Sequence, residues 1–152
     1  MKIKTLAASI ALTAVLTPVL SPSYAAEAED IIKYRESVMK AYGAHMSAAS
    51  RIVRGKVDFQ DQLKLHADSM EGIAAVIDTL FPQDSDFGET QAKAEVWSKP
   101  KEFEAAIKEN QQAVSDFSKA VAAGDKDSLA ASFKKVSDSC KSCHEEFRTE
   151  EE

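Results

Sequence analysis

Apolar residues recur along this chain in alternating steps of three and four, the spacing that lines one face of an α-helix. The first such stripe is Ile32, Arg35, Met39, Tyr42, Met46, Ala49 and Val53, with Gly55 as a suitable stop. A second runs through Leu63, Ala67, Met70, Ala74, Ile77 and Phe81 and halts before Pro82. A third, from Phe103 through Ile107, Asn110, Val114 and Phe117 to Val121, starts just after Pro100 and ends at Gly124. Pro suits a first helical turn, where its missing N–H costs nothing. The fourth comprises Leu129, Phe133, Val136, Cys140, Cys143 and Phe147, with Asp125 or Asp127 placed to cap its first amides. The connections at 55–58 and 124–127 are short, so each joins antiparallel neighbours. Between Pro82 and Pro100 lies a longer polar segment with room for a helical turn near Gln91 to Trp97. The pattern predicts an all-α fold, an up-down-up-down four-helix bundle.

The chain ahead of these stripes reads differently. Met1-Lys2-Ile3-Lys4 is a short basic start, Leu6 to Leu16 is apolar, and Ser23 and Ala25 are small residues at −3 and −1 of a cleavage point. This is the three-part form of a secretory signal peptide over 1–25, leaving 26–152 as one helical domain that works outside the cytoplasm, in a bacterial periplasm. An N-terminal anchor is the alternative, disfavoured by the short apolar run and by Pro18. With 29% charged and 44% hydrophobic residues the chain has the balance of a folded globular protein. Its net charge of −6 speaks against nucleic-acid binding, which needs a basic face. Nothing after the leader is apolar enough for stable membrane insertion.

Chemistry concentrates in Cys140-Lys141-Ser142-Cys143-His144, the C-x-x-C-H sequence of covalent c-type haem attachment. On a helix, positions i and i+3 share a face, so Cys140 and Cys143 can both reach the vinyl groups along one side of a porphyrin. His144 follows at once and can meet the iron as the proximal axial ligand. Export agrees, since this haem is attached outside the cytoplasm. Three other readings compete. Structural zinc needs four ligands, and only His45 and His66 could supplement the trio. A thioredoxin-like pair belongs at a helix start beside a parallel sheet. A disulfide between i and i+3 of a helix has poor geometry.

The chain resembles the cytochrome c-prime family, the class II c-type cytochromes, which are four-helix bundles with the haem motif near the C-terminus. The marks are Tyr34 to Met39, Gly43, Arg54-Gly55, Phe81-Pro82, Trp97, Phe103, and Cys140 to Arg148. The resemblance implies one covalently bound haem c and two alternatives for its distal face. In one branch an apolar side chain blocks that face and leaves a five-coordinate iron; in the other a methionine of the first helix makes it six-coordinate and low-spin. The position concerned is Met39, the candidate distal iron ligand, although the open branch also has members with an unligated methionine there, and a stripe methionine is commonly just packing. Arg35, a charge on an apolar stripe, needs compensation; the resemblance places it beside a haem propionate, and a snorkelling arginine is the alternative. Glu36 is assigned to the haem edge, where the family often carries glutamine, so the acid departs from the pattern. Arg148 matches an arginine packed near the proximal imidazole, against the alternative of a solvated helix end.

The leading functional expectation is single-electron transfer through Fe(III)/Fe(II) in a periplasmic carrier that is not an enzyme, with unidentified redox proteins as partners and the acidic end, Glu145-Glu146 and Glu150 to Glu152, offered to a basic one. The alternative is a five-coordinate haem protein binding nitric oxide or carbon monoxide. Homodimers are frequent in the family, through helices one and two. His45 and His66 lie beside the stripes, and for each a satisfied surface or flank histidine is favoured over a ligand. Met46 lies two turns, about 10 Å, from Met39, so only one of them can reach the iron.

Overall fold

The computed structural model describes residues 22–149. The leader read over 1–25 therefore lies outside the described residues except for Pro22–Ala25, which stand in the first helix. The helices are α1 (Pro22–Val53), α2 (Leu63–Ala74), the single turn α3 (Glu95–Ser98), α4 (Pro100–Ala123) and α5 (Lys126–Phe147). Among the described residues no helix is long and apolar enough to cross a membrane.

The helix ends form where the sequence allows them. Gly55 and Gly124 have φ of 63° and 64°, left-handed values that favour glycine. At α1, Gly55 N donates to Ile52 O (2.9 Å) and Lys56 N to Arg51 O (2.8 Å). At α4, Gly124 N donates to Val121 O (3.1 Å) and Asp125 N to Ala120 O (3.0 Å). Both are Schellman closures that satisfy carbonyls otherwise left open. Of the two capping candidates for α5 it is Asp125, not Asp127, that accepts from the amides of Asp127 and Ser128. The Ser128 hydroxyl, donating to Asp125 Oδ2 at 2.7 Å, and then the two amides hold its carboxyl below the usual range. Pro100 opens α4 as expected.

The second stripe departs from its prediction. It was read as one helix to Phe81, but α2 ends at Ala74 and the chain tightens into a 3₁₀ turn over Ile77–Leu80. The reason is periodicity: with three residues per turn, Ile77 and Leu80 both face inward and are buried, while Phe81 is only half-buried. Thr79 supports the tighter turn by donating its hydroxyl to Val76 O (2.7 Å).

The core runs the length of α1, α2, α4 and α5. Phe117 and Phe133 lock α4 to α5 edge to face at 5.2 Å between centroids. Phe103 packs edge-on against both Phe81 (4.9 Å) and Phe147 (5.0 Å), continuing to Trp97 through Phe81. Of the neighbouring pairs, α1 and α5 touch least, so the bundle is most open along the seam that carries Met39 on one side and Cys140 on the other.

Candidate haem-attachment site

Near its C-terminal end α5 presents Cys140 and Cys143, both half-buried, unbridged, and packed against the apolar core. Burial pushes both thiols up, Cys143 to about 11 with further help from Cys140 and Glu146. They therefore stay protonated at neutral pH, unlike the low-pKa thiolate of a redox-active pair. Among the described residues no three His, Cys, Asp or Glu side chains converge to hold a metal ion, which removes the geometric basis for structural zinc.

Behind the thiols lies a polar network that the sequence did not reveal. Asn110 of α4, on the third stripe and 5% exposed, donates through Nδ2 to Ser139 Oγ (3.0 Å) and Cys140 Sγ (3.5 Å). Its Oδ1 accepts from the Tyr42 hydroxyl of α1 at 2.8 Å, and Ser139 Oγ donates onward to Val136 O at 2.9 Å. Three helices are thus pinned together at the level of Cys140, and among the described residues no buried side-chain nitrogen or oxygen lacks a partner. Burial raises the Tyr42 pKa, so the phenol remains a donor. Tyr42→Phe leaves Asn110 Oδ1 buried without its partner, and holoprotein stability should fall by about 1–3 kcal/mol in urea unfolding.

His144 stands exposed on the turn after Cys143. Its pKa is lowered, first by partial burial and then by the charge of Arg148, so its imidazole is neutral at pH 7, the form that ligates iron. Arg148 is anchored, not solvated: Nε donates to Gln91 Oε1 at 2.9 Å. The segment before α3 is stitched to this helix end by Lys93 N to Phe147 O (2.9 Å), Thr149 N to Gln91 O (2.8 Å) and the bridge between Ala92 and Arg148. The helical turn expected near Gln91 to Trp97 is α3, shifted to Glu95–Ser98, because these first residues are extended against α5.

Across the seam, Met39 is half-buried and packed on the core, as is Met46. Glu36 is half-buried and lies 3.7 Å from Lys40, one turn on. Arg35 is 4% exposed, and its compensation comes from the connection after α2. Its Nη atoms donate to Leu80 O, Ser85 Oγ, Ser85 O and Thr90 Oγ1 at 2.7–3.3 Å. The guanidinium also lies 4.8 Å from the Phe81 ring centre and 5.8 Å from that of Trp97. His45 and His66, each read as a surface or flank histidine, face each other across α1 and α2.

Comparison with known proteins places this arrangement. The family model for Cytochrome C' matches residues 30–148. The chain belongs to the cytochrome c' family. It is 34% identical to cytochrome c' of Pararhodospirillum photometricum over 81% of this chain and 99% of that protein. With cytochrome c' of Alcaligenes xylosoxydans the identity is 32%, over 81% and 96%. Among solved structures, the nitric oxide complex of a point mutant of cytochrome c prime from Alcaligenes xylosoxidans superposes with a TM-score of 0.76 at 29% identity, covering 82% of this chain and 97% of that one. Cytochrome c' from Rubrivivax gelatinosus gives 0.76 at 27% identity, over 80% and 97%. These relatives are four-helix bundles, and membership implies a covalently bound c-type haem. The residues present fit that group: two protonated, unbridged thiols one turn apart beside the loosest seam, with a neutral imidazole next to them.

Proposed function

We propose that this chain holds one haem in the periplasm and binds a diatomic gas, nitric oxide or carbon monoxide, on the haem face lined by Met39. The observation that carries this reading is the environment of Met39: its side chain lies in apolar packing one turn beyond Arg35. Similarity to cytochromes c' solved with nitric oxide or carbon monoxide bound supports it. The haem, when bound, would supply an iron that changes between ferric and ferrous and can take up a small ligand. The chain does the rest. Cys140 and Cys143 add their S–H groups across the two vinyl groups and fix the plane. His144 offers a neutral ring nitrogen on one side. Met39 would line the approach to the other side with an apolar side chain. The reading is of a binder and not an enzyme.

A second reading, single-electron transfer with Met39 as a sixth ligand, is favoured by the thioether itself: soft, neutral sulfur suits iron, and an iron with both axial positions filled changes charge with little rearrangement. The optical spectrum of the ferric holoprotein separates the two. Gas binding at an open face predicts a high-spin spectrum at neutral pH and carbon monoxide uptake after reduction that Met39→Leu changes only several-fold. A low-spin spectrum that Met39→Leu turns high-spin, with a drop in midpoint potential, establishes electron transfer instead.

A further inference from the structure

Away from the haem seam, α1 and α2 bring together the chain's other two histidines. His45 Nδ1 and His66 Nδ1 lie 3.0 Å apart, with ring centroids at 5.3 Å and planes inclined by 57°. Both rings are half-buried, so each keeps an edge toward solvent. A single hydrogen bond between two neutral rings accounts for the distance, one Nδ1 donating and the other accepting. The same separation also belongs to two cis ligands on one metal ion. With metal–nitrogen bonds of about 2.0–2.1 Å and angles of about 90–109°, two imidazole nitrogens stand about 2.9–3.3 Å apart.

We propose that His45 and His66 form a two-histidine site for a divalent transition ion, Cu(II) ahead of Zn(II), with both Nδ1 atoms as cis ligands and water completing the shell. Imidazole suits these ions, and affinity for a given nitrogen site peaks at copper. The rigid α1–α2 pairing holds both nitrogens at ligand spacing before any ion arrives, so little ordering remains to oppose binding. Burial and the neighbouring His45 lower the His66 pKa, which keeps its lone pair available. No third His, Cys, Asp or Glu joins the pair among the described residues, which leaves the remaining positions to water or an exogenous ligand. The ring that donates in the hydrogen bond would move its proton from Nδ1 to Nε2, which turns both Nδ1 lone pairs to the ion.

The test uses ferric holoprotein. His45, His66 and His144 are the only histidines, and with His144 on the iron and both cysteines in thioethers, no other imidazole or thiol competes. Cu(II) added in calorimetric titration should fill a single site whose electron paramagnetic resonance shows two nitrogen couplings. His45→Gln and His66→Gln should each weaken binding at least tenfold, with the haem spectrum and circular dichroism unchanged. Zn(II) should raise the Tm of wild type but of neither variant. Copper bound equally by the double variant, no binding by wild type, or sensitivity to only one of the two histidines would overturn the site and leave the pair as a hydrogen bond between helices. None of these outcomes depends on how Met39 behaves at the iron, and a haem-free chain would show itself separately by its lack of colour.

Discussion

Exported protein with both Cys140 and Cys143 replaced by serine should have the mass of the processed chain alone under denaturing conditions, where wild type shows the chain plus one haem. Both thiols are half-buried on one face of α5, a turn apart and unbridged, and on the proposed reading each would supply one thioether. Their protonated state makes spontaneous thiolate chemistry unimportant, so losing them removes the attachment and little else. The folding consequence is larger than a local defect. On the proposed placement, a haem between α1 and α5 would fill the seam where those long helices touch least, and its loss would leave a hole there. Cavities from single large-to-small core substitutions already cost about 2.7–5 kcal/mol. The double variant should therefore unfold in urea with a loss of at least that order. Retention of haem through denaturation would show attachment by another group and end the thioether assignment.

The sequence made the bundle legible because the information lay in one dimension. Stripes of Ile32 to Val53 and Phe103 to Val121 name the buried faces of α1 and α4, and Gly55 and Gly124 mark ends that need a left-handed residue. The attachment motif was equally legible, since i and i+3 are neighbours on any helix. What escaped depends on contacts between helices. Asn110 sat on its stripe as a polar anomaly, but nothing in one sequence says that its amide meets Tyr42 from α1 and both Ser139 and Cys140 from α5. The histidine pair had a faint trace: His45 directly precedes stripe residue Met46 and His66 directly precedes Ala67. Each therefore flanks the face its helix turns inward, but helix register decides whether two such residues meet. The tightening of the second stripe into a 3₁₀ turn was hidden for another reason, since positions Ile77 and Leu80 fit a period of three and Ile77 and Phe81 a period of four.

Arg35→Leu should destabilise the holoprotein by about 2–4 kcal/mol, because it strips buried acceptors of their donor at about 1–3 kcal/mol each, offset in part by no longer burying a charge. Leu80 O, Ser85 O and Ser85 Oγ all accept from this one guanidinium, and Ser85 has no exposed surface at all. Among the described residues no carboxylate bonds to it, so the charge is compensated by neutral oxygens and two aromatic faces, and burial lowers its pKa. The connection after Pro82 should loosen as a unit, becoming the first point of cleavage in limited proteolysis between residues 83 and 94. Arg35→Lys keeps the charge but not the fork that spans both sides of Ser85, and should fall between the two. A second readout separates the loop from the haem. If the guanidinium also holds a propionate, Arg35→Leu raises that propionate's pKa and shifts the pH at which the midpoint potential begins to fall, because the carboxyl is then more readily protonated. A destabilised variant whose potential keeps the wild-type pH profile would confine Arg35 to the loop. Unchanged stability and an unchanged cleavage pattern would remove it from both roles, and the connection would then have to be held by Trp97, whose Nε1 donates to Pro82 O at 3.0 Å, and by the bridge from Ala92 to Arg148.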